Sequence, residues 1–130
     1  MPSVFASYAP SRESILGRLI GANMNSTGDQ PIAINAAKYV IRRIVVVNAS
    51  ANLTLAVGGF YTAASKGGTA IVANTQIYTA LTAAAKFLDV TLAAILGTDV
   101  RTEGTLYFSL TTAQGSAATA DIFIIGDILS

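Results

Sequence analysis

The chain has 130 residues, enough for one domain with a sizeable core, and it contains neither Cys nor His. A disulfide scaffold is therefore excluded, and the commonest metal ligand and general base are both missing. Net charge is +1, only 12% of residues are charged against about 25% in typical soluble domains, and 52% are hydrophobic.

Acids and bases are interspersed, so no basic stripe points to nucleic acid. No apolar run approaches the roughly 18 residues that cross a bilayer. A surface this poor in charge is expected to be covered by copies of the chain or by a partner.

Residues 1–14 carry Pro2, Pro10, four serines, Phe5 and Tyr8. The stretch is neither helical nor alternating, has no signal-peptide pattern, and reads as an extended N-terminal arm. Phe5 and Tyr8 suit docking on an apolar surface, with Arg12 adding a charge contact at its rim. A single domain is expected over 15–130.

Its first strand is expected over Ile15–Ala22, loosened by Gly17 and Gly21. The turn chemistry of Asn25-Ser26-Thr27-Gly28-Asp29 follows. Pro31–Asn35 reads as a short edge strand.

The longest strand-forming run is Lys38–Asn48. Uniform alternation places Tyr39, Ile41, Val45 and Val47 on one face and Val40, Ile44 and Val46 on the other. The strand should then be covered on both sides, with Arg42 and Arg43 interrupting one face each. Either arginine is a candidate for pairing with another chain.

Asn48–Asn52 is a turn into a strand over Leu53–Val57, with Leu53, Leu55 and Val57 inward. Gly58-Gly59 bends the chain before Phe60-Tyr61. Lys66-Gly67-Gly68-Thr69 is a loop tip without the order of a phosphate loop. Ala70–Ala73 is a short strand, and Thr79–Ala85 suits one helical turn. Phe87–Leu92 alternates with Leu88, Val90 and Leu92 inward. Thr105–Thr111 is the cleanest half-buried strand, with Leu106, Phe108 and Leu110 inward. Asp121–Leu129 closes the chain with apolar residues on both faces.

About eight short strands separated by turns define an all-β antiparallel sandwich, and strands apolar on both sides suit a jelly roll. Chemistry is sparse. Asp99 and Glu103 share a loop and would hold a hard cation only weakly. Asp121 and Asp127 lie too far apart along one strand for a catalytic pair, and no nucleophile has a His base. The sequon-like Asn25, Asn48 and Asn52 read as turn residues. The expectation is no enzyme, no cofactor and no metal.

The Ile41–Val46 strand, the Ala63–Gly68 loop, the Leu96–Arg101 loop and the Thr105–Asp127 hairpin resemble the small β-sandwich virion proteins of tailed bacteriophages, especially those that decorate or cement the head. The resemblance implies a jelly-roll-like body, self-association as a homo-oligomer (a trimer), and attachment to the major capsid protein. It also implies a place on the outer surface of the virion after synthesis in the host cytoplasm. No catalytic residues are carried over by it. Two alternatives accompany this reading. One is a fibre or tail-tip module binding carbohydrate or a receptor, with Tyr61, Tyr78 and Tyr107 as rings. The other is a head-completion or connector component.

Overall fold

The computed structural model describes residues 13–93 and 99–130. Phe5, Tyr8 and Arg12 lie outside them. Eight strands form: β1 (Glu13–Asn23), β2 (Gln30–Ala33), β3 (Tyr39–Val47), β4 (Val57–Ala63), β5 (Gly67–Val72), β6 (Phe87–Asp89), β7 (Thr105–Thr112) and β8 (Thr119–Ile128). No helix forms among the described residues, so Thr79–Ala85 is a correction. Thr82 Oγ1 there accepts from the Ala84 and Ala85 amides at 3.2 and 2.6 Å, which closes a turn rather than a helix.

The pairing is nested. β1 pairs with β8, β2 with β7, β3 with β6 and β4 with β5, all antiparallel. β3 also pairs with β8, and β4 with β7. The result is two four-stranded sheets, a first in the order β1-β8-β3-β6 and a second in the order β2-β7-β4-β5. A long hairpin of strand pairs rolled into two sheets in this order is a jelly roll.

Between the sheets lies one core. Leu16, Ile41, Ile44, Val46, Ile122 and Ile124 come from the first sheet, and Ile32, Phe60, Ile71, Leu106, Phe108 and Leu110 from the second. The Phe108 ring sits 5.0 Å from Phe60 and meets the buried Tyr78 edge-on at 6.2 Å, within the preferred range for aromatic pairs. Pro31 lies on the edge strand β2, where its missing donor costs no ladder bond.

Alternation fails at two places. Residues 53–56 are not a strand. Leu53 is buried, but Leu55 is 58% exposed, because the Leu55 and Ala56 amides both donate to Gln114 Oε1 instead of to a ladder. The second place is β3. Its register against β8 shifts between Ile41 and Arg43, a bulge that resets the parity. Tyr39, Ile41, Ile44 and Val46 therefore all face the core, while Val40 and Val45 face outward. Gly126 sits opposite the bulge, and a Cβ there would fall on the Val40 carbonyl oxygen. Leu88 and Leu92 are half-buried against the core, and Val90 is buried.

Candidate interaction surface

Arg42 and Arg43 occupy the β3 bulge. The sequence places one on each face, but the bulge turns both outward, and both are exposed. Arg42 reaches Asp127 at 2.7 Å and Arg43 reaches Glu13 at 3.4 Å. Side chains this exposed contribute little through such pairs, typically 0–1 kcal/mol. Both arginines thus pair within the chain, and β1 begins at Glu13, inside the stretch expected to be arm.

The surface around them is the outer face of the first sheet. Cross-strand partners define its rows, because directly opposed residues share a face. One row runs Arg18, Phe123, Val45, Asp89 across β1, β8, β3 and β6. A neighbouring row holds Ile15, Ile125 and Arg43. On the other side, Asp121, Val47 and Phe87 line up. Ile20 lies beside Asp121, one residue past Leu19, whose side chain packs on the core. Ile20 and Phe87 are 61% and 59% exposed at opposite edges of the sheet. Asp121 is held by the Gly21 amide at 2.9 Å and by Asn48 Nδ2 at 3.1 Å. Arg18 and Asp89 have no side-chain hydrogen-bond or ion-pair partner among the described residues.

The outer face of the second sheet is closed. Ser109 and Tyr61 point away from the core, yet they are 0% and 5% exposed. The loop before β2 meets the β4–β5 turn over them. Thr27 O accepts from Ser109 Oγ at 3.5 Å and from Lys66 Nζ at 3.1 Å, and Asp29 Oδ2 accepts from the Ser65 amide at 2.7 Å. Ser65 and Lys66 take left-handed backbone conformations to make that turn. The Tyr61 hydroxyl is buried there without a hydrogen-bond partner.

The remaining groups weighed from the sequence have local roles. Asp99 and Glu103 converge, but on a cation of the chain itself. Arg101 grips Glu103 with two bonds of 2.7 and 2.9 Å and reaches Asp99 at 3.6 Å. The Arg101 hydrogen bonds hold the Glu103 carboxyl below its usual range. No cluster of metal-ligating side chains occurs among the described residues. Of the three tyrosines considered as sugar platforms, Tyr61 and Tyr78 are buried and only Tyr107 is partly open, so they form no shared platform. Burial raises Tyr78, whose hydroxyl donates to Gly58 O at 3.0 Å. Asn25, Asn48 and Asn52 serve turns: Asn25 and Asn52 cap the Gly115 and Ala83 amides, and Asn48 is left-handed at φ 55°.

A shallow groove of about 490 Å³ flanks the β5 edge, lined by Ala70, Ile77, Leu92 and neighbours, without a titratable side chain. Another, of about 390 Å³, lies between β1 and β2 beside Gly17 and Ala33. No described helix is long and apolar enough to cross a membrane. Comparison with family models, curated proteins and solved structures finds no match.

Among the described residues, this arrangement holds no cluster of three or more metal-ligating side chains. What it offers is one apolar sheet face with charges at its borders. Sequence reasoning missed that face because the rows that build it join strands up to a hundred residues apart. The only local signal for it was the two-sided apolar character of 39–47 and 121–129.

Proposed function

We propose that the chain is a structural virion protein of a tailed bacteriophage, a capsid decoration or cement protein that self-associates and binds the head shell. The observation that carries this reading is the jelly roll with one apolar sheet back that leaves Ile15, Ile20 and Phe87 exposed at its edges. Viral capsid domains use this fold among others, so the fold-level support is by analogy. The low charge of the chain supports it independently. In this reading the first-sheet face and the N-terminal segment with Phe5, Tyr8 and Arg12 make the protein–protein contacts. Arg42 and Arg43 border that face. A trimer on the outer capsid surface, in contact with the major capsid protein, is what the family resemblance implies. The reading assigns no catalysis and no cofactor.

The test is quantitative mass spectrometry of purified particles whose genome encodes the chain. Hundreds of copies per head are expected. A dozen or fewer would shift the role to a connector or fibre, and absence from the particle would end the proposal. Deleting residues 2–12 sharpens the result: particle loading should fall greatly while the melting temperature of the sandwich holds. Full loading without those residues would move attachment onto the sandwich faces.

A further inference from the structure

We propose that the outer face of the first sheet is a two-fold contact between two copies of this chain, with Arg18 of each copy facing Asp89 of the other. The proposal concerns the purified protein and does not rest on the virion reading.

The argument begins with the central row, Arg18-Phe123-Val45-Asp89. It has an exposed cation at one end and an exposed anion at the other, with the half-buried Phe123 and the nearly buried Val45 between. Three strand spacings separate the ends, about 14 Å, so the charges cannot satisfy each other within one copy. Neither has another side-chain partner among the described residues.

Such a row is complementary to itself. A two-fold axis lying between two stacked faces, parallel to the strands, reverses the strand order and keeps each row in place. β1 of one copy then lies over β6 of the other, and β8 over β3. Arg18 meets the second copy's Asp89, Phe123 meets its Val45, and both contacts occur twice, as an isologous interface requires.

The neighbouring rows obey the same operation. Ile20 meets Phe87 of the second copy, joining the two large apolar side chains left most exposed at opposite edges. Arg43 lays its stem along Ile125 and keeps its charged end toward Glu13. Asp121 meets Val47 with its carboxylate already satisfied by Gly21 and Asn48. An axis perpendicular to the strands would instead set Arg18 on Arg18 and Asp89 on Asp89. The charge pattern thus selects one orientation.

The face spans four strands and about three rows, roughly 400 Å² per copy, against about 800 Å² for a standard stable interface. The contact should therefore be weak in dilute solution, with a dissociation constant on the order of 10–100 μM or above.

The experiment is sedimentation equilibrium of the full chain from about 10 μM to about 1 mM, with circular dichroism to verify folding. Arg18→Glu and Asp89→Lys each place like charges together twice per dimer. Either should weaken association at least about tenfold, and the combined variant should recover to within about threefold of the original. Arg18→Gln and Asp89→Asn, expected to weaken it about threefold, keep the test open should a reversal fail to fold. A monomer at 1 mM would overturn the proposal, as would a face occupied by the chain's own N-terminal segment, which also gives a monomer. An oligomer of any order indifferent to both reversals, or single reversals that the combined variant does not rescue, would overturn it too.

Discussion

The two sheets are alike on the inside and unlike on the outside. Each contributes a dense apolar inner face to the same core. On its back, the second sheet buries a serine, Ser109, completely, while the first leaves a phenylalanine, Phe87, 59% exposed. This inverts the usual preference of the two residue types. The cause is not in the strands but in the connections. The loop before β2 and the β4–β5 turn join hands over the second sheet through Thr27, Asp29, Ser65 and Lys66. No described segment does the same for the first. Burial of Ser109 thus follows from what the chain lays over it, whereas outward Val45 on the first sheet is only 6% exposed without such a cover.

That contrast can be broken by mutation, beginning with the side where the sheets agree. Phe108→Ala should cost about 3–5 kcal/mol in urea unfolding, because it empties the contact with Phe60 and Tyr78. Leu106→Ala or Leu110→Ala should cost about 2–5 kcal/mol. A similar cost for Phe87→Ala would mean that the back of the first sheet is already covered.

Alkali probes the inner face of the first sheet. Burial, with Glu103 nearby as the lesser cause, raises the Tyr39 phenol to about 12. A raised acid keeps its neutral form in the folded state, so its contribution is whole below the unfolded value near 10. It is lost as pH climbs from there to about 12. Stability measured against pH should drop across that window, and Tyr39→Phe should flatten part of the slope.

The backs should then diverge. Ser109→Leu must fit a larger side chain under the closed cover and should cost about 1–3 kcal/mol. Tyr61→Phe removes a buried hydroxyl that has no partner, and thermal unfolding should show a gain of up to about 1 kcal/mol. Phe87→Thr, on the bare back, should leave the monomer within about 0.5 kcal/mol. A large loss from Phe87→Thr together with no loss from Ser109→Leu would reverse the comparison.

Much of this fold was legible in the residues. β7 alternates cleanly, and Leu106, Phe108 and Leu110 are all fully buried as their spacing requires. β3 and β8 declared themselves by β-branched runs, and Pro31 marked an edge. The misreading of β3 has a clear physical origin. Period-two reasoning assumes an unbroken register, and a bulge adds one residue that the pattern does not announce. Alternation thus divides Arg42 and Arg43 between faces, whereas both point out. Alternation places Leu55 inward because a side-chain amide 59 residues further along is invisible locally, though Gln114 captures its backbone. The candidate surface was the least legible part. Arg18 and Asp89 are unremarkable in sequence and acquire meaning only when β8 and β3 set them in one row.

The nested pairing also bears on the order in which the molecule can be made. β4 and β5 are joined by a turn of a few residues and close quickly, whereas Glu13 must find Asp127 across most of the chain. β8 lies between β1 and β3, so those two strands share no ladder until it arrives. On the ribosome, the second sheet lacks only β7 for completion while the first still waits for β8. The row from Arg18 to Asp89 comes into being with that final insertion. A nascent or truncated chain does not display it, so the proposed contact between copies would be reserved for molecules that have finished folding.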